Sequence, residues 1–286
     1  MFVVVGSQAD RSDRNKLTLL KLSDMHKTQA NADSDNDSDD DENLDEDPTL
    51  EHMNVPHVGC INRIRSMPQT PGIIATMADT GHAHIFDLST SLKSMMSKGP
   101  RAQAPTKSMY TFRGHRAEGY ALDWSPSVAG RLATGDCAGA IHIWNMGASS
   151  AAWQVDTTPY LGHTSSVEDL QWSPTEGTVF SSASADNTVR IWDTRGRNGP
   201  QITIDAHSKD VNVISWNRNV AYLLASGSDD GSFKVRVVCT TCCLLQIIPT
   251  FFADMPLFIF CRNDNSCTLS SHRYGISVRF VPTRHL

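Results

Sequence analysis

Apolar and polar residues alternate along most of this chain in short runs with a period of two. Residues 120–124 and 167–172 alternate in this way and then meet a Ser-Pro pair, Ser125-Pro126 and Ser173-Pro174. Such runs, closed by turn residues, predict strands half buried on a sheet. A second run, as in 179–184, meets a tight Asp/Asn/Gly turn, and a third follows, as in 188–192. The same turn chemistry stands at Asp79 to Gly81, Asp136 to Gly139, Asp186-Asn187 and Asp229 to Gly231. The pattern therefore predicts an all-β chain in which one three-strand unit recurs. Residues 2–5 and 17–22 predict two further strands joined by a polar loop. Residues 89–109 carry Gly99, Pro100 and Pro105 among Ser, Lys and Met, which predicts an extended surface loop.

The recurrence has a countable frame. Four histidines, His57, His115, His163 and His207, open the units, and nine residues later stand Ser66, Trp124, Trp172 and Trp216. Twenty-nine residues after each histidine come Phe86, Trp144, Trp192 and Arg236, the first three followed by Asp87, Asn145 and Asp193. Gly-His openings (Gly114-His115, Gly162-His163) and Trp-Asp endings at this spacing are the signature of WD40 β-propeller blades. A buried histidine, a turn aspartate, a strand Ser or Thr and a tryptophan can pass hydrogen bonds along one relay, leaving no buried polar atom unpaired. His115, His163, His207, Trp144 and Trp192 are therefore read as framework. The His-Asp-Ser grouping invites comparison with a hydrolase triad, but a set that returns in every unit does not mark one active site. No catalytic residue, cofactor or metal site is expected.

Charge divides the chain. Ten acidic residues and no basic ones lie between Asp33 and Asp47; setting them aside leaves 21 Asp plus Glu against 25 Lys plus Arg. Residues 24–50 are too poor in apolar side chains to build a core and predict a disordered acidic loop. The division expected is remnant strands of a preceding blade over 1–23, the acidic loop over 24–50, WD40 repeats over 51–235 and a non-repeat tail over 236–286. At Arg236 the frame asks for a buried Trp, and a buried arginine needs a partner. Cys239, Cys242, Cys243, Cys261 and Cys267 all follow within the tail. Cys239-x-x-Cys242 lacks a second pair at zinc-finger spacing. Leu244 to Phe260 is interrupted by Pro249, Asp254 and Pro256 and makes a poor membrane span. The native repeat is expected to stop at Val235, with the tail arising from an alternative exon, intron read-through or a gene-model error. Met1 to Val5 has no basic segment before it and does not read as a secretory leader. The isolated Cys60 and Cys137 fit a reducing compartment.

The stretches Gly114-His115 through Trp124-Ser125-Pro126, Leu132 to Asp136, Val167 to Pro174 and Asp210 to Trp216 resemble the glutamate-rich WD-repeat protein family. That family is related to the retinoblastoma-binding histone chaperones. The resemblance implies a nuclear and nucleolar propeller linked to histone binding and ribosome assembly, with an acidic loop between early blades that the 33–47 run matches in kind. Against that family the chain lacks the N-terminal helical region and the later blades. An incomplete WD40 β-propeller of about four blades plus a strand pair is expected.

Three candidate binding features follow. Three to five residues after each histidine the chain rounds one rim of the propeller, and there stand Asn62, Glu118 with Tyr120, Glu168, and Asp210 with Asn212. Acids and amides recurring at equivalent points suit a Lys/Arg-rich extended segment, and the resemblance implies a histone tail at this rim. The second is the acidic run itself: Asp33, Asp35, Asp37, Asp39, Asp40, Asp41, Glu42, Asp45, Glu46 and Asp47, which steers basic proteins such as histones or ribosomal proteins. Ser34 and Ser38 lie in Ser-x-x-Asp contexts that an acidophilic kinase takes. The third is Ile191-Trp192-Asp193-Thr194-Arg195, which matches the ending of propellers that serve as substrate receptors of cullin ubiquitin ligases, where Asp193 and Arg195 would meet the adaptor. The alternatives to a histone-binding or ribosome-assembly scaffold are thus a cullin-ligase substrate receptor and a non-functional truncated product. No membrane partner is expected, and no basic-aromatic patch calls for direct nucleic-acid contact.

Overall fold

The computed structural model describes residues 1–25, 48–97, 103–147 and 152–238, and beyond them the backbone of four short strands. Strands β1 (Phe2–Gly6), β2 (Lys16–Ser23) and β3 (Thr49–Pro56) form a three-stranded antiparallel sheet. The two strands expected at the N-terminus are thus joined by a third. Four four-stranded antiparallel sheets follow. Blade 1 holds β4 (Ile61–Met67), β5 (Thr70–Ala78), β6 (Ala83–Asp87) and β7 (Tyr110–Phe112); blade 2 holds β8 (Ala121–Trp124), β9 (Arg131–Gly135), β10 (Ile141–Met146) and β11 (Trp153–Val155). Blade 3 holds β12 (Val167–Trp172), β13 (Val179–Ser184), β14 (Thr188–Asp193) and β15 (Ile202–Asp205). In blade 4, β16 (Val211–Trp216), β17 (Leu223–Ser228) and β18 (Phe233–Val237) are completed by β19 (Leu245–Ile247). Strands β20 (Phe258–Cys261), β21 (Cys267–Ser271) and β22 (Ile276–Phe280) pair with one another.

Each blade therefore has a fourth strand beyond the three legible in the repeat, supplied in blades 1 to 3 by the segment that leads to the next histidine and in blade 4 by β19. The first strands β4, β8, β12 and β16 adjoin one another in succession and form the inner wall of an incomplete propeller. Packing explains why apolar residues recur in this frame: one core lies between each adjacent pair of sheets. Met67, Met77 and Ile85 of blade 1 meet Trp124 and Trp144 of blade 2. Ile141 and Ile143 of blade 2 meet Trp172 and Trp192 of blade 3, and Val179 and Ile191 of blade 3 meet Ile214 and Trp216 of blade 4. Leu17 and Val55 of the N-terminal sheet close over Ile61 and Phe86. Each large apolar side chain buried there contributes about 1.5–3 kcal/mol.

Two local findings modify the sequence-based picture. Ser89–Met96 forms a helix, α1, inside the segment expected to be extended loop. Asp87 accepts the backbone N–H of Ser89 at 2.8 Å as the strand gives way to the helix, and Met95 is buried beneath it. Strand β18 runs through Arg236 to Val237, beyond the expected end of the repeat at Val235. The turn between second and third strands needs a left-handed residue at one fixed point. Gly81, Gly139 and Gly231 take it with φ of 73°, 84° and 78°, and Asn187 takes it in blade 3 with φ 68°. Glycine adopts this conformation without steric cost, and asparagine tolerates it better than most side chains.

Candidate functional site

The histidines prove to be framework, and the geometry fixes where their protons lie. In blade 3 the Trp192 indole N–H donates to Ser182 Oγ at 2.8 Å. At the other end of the relay the ionised Asp186 can only accept, so His163 carries its proton on Nδ1 and donates it there at 2.8 Å. Nε2 of the neutral ring is then the acceptor, and the Ser182 hydroxyl donates to it at 2.6 Å. Blade 2 repeats the relay through Trp144, Thr134 (3.0 Å), His115 (2.8 Å) and Asp136 (3.1 Å). Burial alone would raise the Asp186 carboxyl, but the Thr188 hydroxyl and His163 outweigh it and bring it down to about 2. The Ser232 hydroxyl and backbone donors hold Asp230, the blade 4 counterpart, well below the ordinary carboxylate range. Every polar atom of these sets is already engaged, which leaves none of them poised to attack a substrate.

The relay is incomplete at both ends of the series. In blade 1 the positions of Asp186 and of Asp136 are held by Thr80 and Ala78, and His57 Nδ1 donates instead to the Gly59 carbonyl at 3.0 Å. Asp79 is turned to the backbone N–H of Cys60 at 2.9 Å, and Phe86 brings no donor. In blade 4 His207 bonds Ser226 at 2.9 Å and Asp230 at 3.0 Å, and Arg236 takes the place of the tryptophan. Its Nη1 donates to Ser226 Oγ at 3.0 Å and its Nη2 to the Ala206 carbonyl at 2.5 Å. The arginine is 3% exposed, and burial lowers its pKa.

At the rim, the positions five residues after His57, His163 and His207 share a backbone feature. The strand register slips between Ile61 and Arg63, between Val167 and Asp169 and between Val211 and Val213. Asn62, Glu168 and Asn212 are the extra residues at these β-bulges, which turn a side chain out of the regular alternation. Tyr120 holds the corresponding place just before β8. Two residues earlier in the frame, Glu118 and Asp210 form a second tier. Asn62 Nδ2 donates to Glu118 at 3.1 Å across the blade boundary. Asn212 donates to Asp229 at 2.5 Å, and Asp229 in turn donates its backbone N–H to the Asp210 carbonyl at 3.1 Å.

Two rim residues escaped the sequence reading. Asp229, one step before the relay aspartate Asp230, joins the Asp210–Asn212 group; its position in the turn was the available signal. Arg63 crosses the inner wall: Nε meets the Tyr120 carbonyl at 2.5 Å, Nη2 the Glu168 carbonyl at 3.3 Å, and the guanidinium lies 3.9 Å from Asp169. Nothing in the linear pattern joins residues so far apart. Burial lowers Arg63's pKa, while Asp169 raises it. Within the inner wall, Asp123 accepts the Trp172 backbone N–H at 2.8 Å and Asp169 that of Ile214 at 3.1 Å. Gln171 does the same for Trp216.

Asp193 and Arg195 grip each other within one turn, with Nε and Nη2 of the arginine on both carboxylate oxygens at 2.5–3.0 Å. The Arg195 side chain is 72% exposed. Arg195's hydrogen bond draws the Asp193 carboxyl downward. The acidic run from Asp33 to Asp47, with Ser34 and Ser38, lies outside the described residues. Among the described residues no group of three His, Cys, Asp or Glu side chains could hold a metal ion, and no helix is long and apolar enough to cross a membrane.

The WD domain, G-beta repeat model matches residues 154–193 and 198–236. The glutamate-rich WD repeat-containing protein 1 of Dictyostelium discoideum is 48% identical over 217 residues, 71% of this chain and 44% of that protein. The ribosome assembly protein rrb1 of Schizosaccharomyces pombe is 43% identical over 223 residues, covering 75% and 45% of the two chains. The protein HEAT STRESS TOLERANT DWD 1 of Arabidopsis thaliana is 42% identical over 226 residues, covering 71% and 48%. The chain thus spans less than half the length of these curated relatives. It carries WD40 repeats and is similar to the glutamate-rich WD-repeat proteins.

Proposed function

We propose that this chain is a protein-binding scaffold, not an enzyme, whose rim captures Lys/Arg-rich segments of histones or basic ribosomal proteins in the nucleus and nucleolus. The observation that carries the proposal is the bulge at Asn62, Glu168 and Asn212. It sets amides and a carboxylate at one register of three blades, beside the second tier of Glu118 and Asp210. Hydrogen bonds from lysine or arginine to carboxylates are charge-assisted and about twice as strong as neutral ones. Ten further carboxylates in the 33–47 run would raise the encounter rate with any basic partner. One relative's name, ribosome assembly protein, is in keeping with such a partner.

The test is retention of purified core histones by the immobilised chain across a salt series, beside a variant lacking 33–47. Retention should fade as the screening length shrinks from about 10 Å at 0.1 M salt to about 3 Å at 1 M, and the deletion should weaken it at every salt concentration. Failure of both forms to retain histones at the lowest salt would refute the proposal. Contact with a cullin-ligase adaptor is the second reading, favoured by the exposed Arg195 beside a cavity of about 310 Å³ that Asp193 and Arg195 both line. Their mutual ion pair would have to open for such contact, so the rim is preferred.

A further inference from the structure

At the end of the inner strands opposite the rim, one position varies from blade to blade and another breaks its repeat once. Eight residues after each histidine stand Arg65, Asp123, Gln171 and Ser215; eleven residues after stand Pro68, Pro126, Pro174 and Arg218. A residue that recurs at one register serves the blade, whereas a residue that breaks the register is released from that duty. The break at the second position places Arg218 in blade 4, and the first position, which differs in every blade, carries Arg65 in blade 1. The two arginines line the same cavity, about 200 Å³ in volume, together with Asp123, Gln171, Trp172 and Trp216.

The cations in this cavity outnumber the carboxylates. Asp123 takes the Trp172 N–H on one oxygen, and Gln171 takes that of Trp216. Arg65 uses one nitrogen on the Ile64 carbonyl at 3.0 Å, and its remaining N–H groups are available. Among the described residues no carboxylate forms an ion pair with Arg218. Asp123 would repel an anion if fully ionised. Burial pushes its carboxyl up to about 7; Asp169 adds to the rise, and the Trp172 N–H and Arg65 oppose it. Asp169, which itself lies 3.9 Å from Arg63, is raised by burial as well. Two guanidinium groups thus face one carboxyl that is only partly charged at neutral pH.

We propose that this cavity binds an anionic side chain, a carboxylate or a phosphoryl group, presented by an extended peptide and held between Arg65 and Arg218. The planar guanidinium fork matches both groups in geometry. The volume suits one side chain rather than a nucleotide, and the exposed Pro68 and Pro126 offer apolar surface to the peptide beside it. The proposal concerns the opposite end of the channel from the rim and does not rest on basic-segment capture there.

The test uses the full chain with fluorescein-labelled hexaglutamate and a labelled phosphoserine hexapeptide, read by anisotropy at low salt. At least one peptide should bind. Replacing Arg65→Gln and Arg218→Pro together, the latter being the residue of the other blades, should weaken it about tenfold or more, as loss of charge-assisted contacts predicts. Which peptide binds distinguishes carboxylate from phosphoryl recognition. If the double variant is not folded by its urea transition, Arg218→Gln and Arg65→Gln singly decide, each weakening the binding. Equal binding by wild type and charge-removed variants, binding of neither peptide, or preference for a labelled oligouridylate over both would overturn the proposal.

Discussion

Acidification from pH 7 to 4 is expected to destabilise the blades by about 3 kcal/mol net, through histidines that the fold keeps neutral. His84 is pushed down to about 3 by burial, with the charges of His57 and His82 adding to the shift. Its Nδ1 bonds Thr111 at 3.0 Å while Nε2 is buried without a partner, so a second proton would have no acceptor. Burial lowers His142 to about 4 and depresses His57 and His163 as well. In the unfolded chain these rings titrate near 6.5. Because their folded pKa values are depressed, their stabilisation is complete above about 6.5 and is lost as pH falls through about 4 and about 3. Each pKa unit is worth about 1.4 kcal/mol, so His84 and His142 together lose roughly 6 kcal/mol by pH 4. Asp123 acts in the opposite sense: raised to about 7, it gains roughly 3 kcal/mol as it protonates. The histidines win. Urea-unfolding midpoints followed by tryptophan fluorescence should fall steadily between pH 6.5 and 4, and a midpoint that holds or rises would contradict this assignment.

Arg236→Trp is expected to stabilise blade 4. In blades 2 and 3 the same site holds Trp144 and Trp192, fully buried and donating to the relay hydroxyl. Arg236 reproduces that one hydrogen bond but carries a charge into the core. Among the described residues no carboxylate faces it, and Lys234, a second cation, donates to the same Ala206 carbonyl at 2.9 Å. Replacing buried charged groups by well-packed apolar residues commonly gains about 1–4 kcal/mol. Tryptophan would keep the Ser226 bond through its indole N–H while removing the desolvated charge. A higher urea midpoint is the expected result. A lower one would show that the arginine has become an essential strut of this blade.

Much of the framework was legible because a relay needs its members at fixed spacing. The histidine, the hydroxyl 19 residues later and the aromatic ring 29 residues later could all be counted. The aspartate was less regular. Blade 2 takes it from Asp136, 21 residues after its histidine, and blades 3 and 4 from Asp186 and Asp230, 23 residues after. Blade 1 has Ala78 and Thr80 at those two places and Phe86 in place of the tryptophan. The helix at Ser89–Met96 escaped because Ser, Lys and Met around nearby Gly and Pro read as loop, while its anchorage comes from burial of Met95. The ties between blades were out of reach for a different reason. Asp123 to Trp172, Asp169 to Ile214 and Arg63 to the Tyr120 carbonyl join residues of separate repeats, and only the curvature of the inner wall brings them together. The bulges that set Asn62, Glu168 and Asn212 apart are likewise a matter of strand register, which alternation alone does not reveal.

Basic-segment capture by the rim is tested most directly by titrating the full chain with fluorescein-labelled decalysine. Wild type is compared with a Glu118→Gln, Glu168→Gln variant and with a chain lacking 33–47. Glutamine keeps the shape and hydrogen-bonding reach of glutamate, so only charge is removed. The account predicts salt-sensitive binding that the rim variant weakens about tenfold even with the acidic run intact. Undiminished binding by the rim variant, with loss confined to the deletion, would contradict it and move the capture of basic partners from the propeller to the acidic segment.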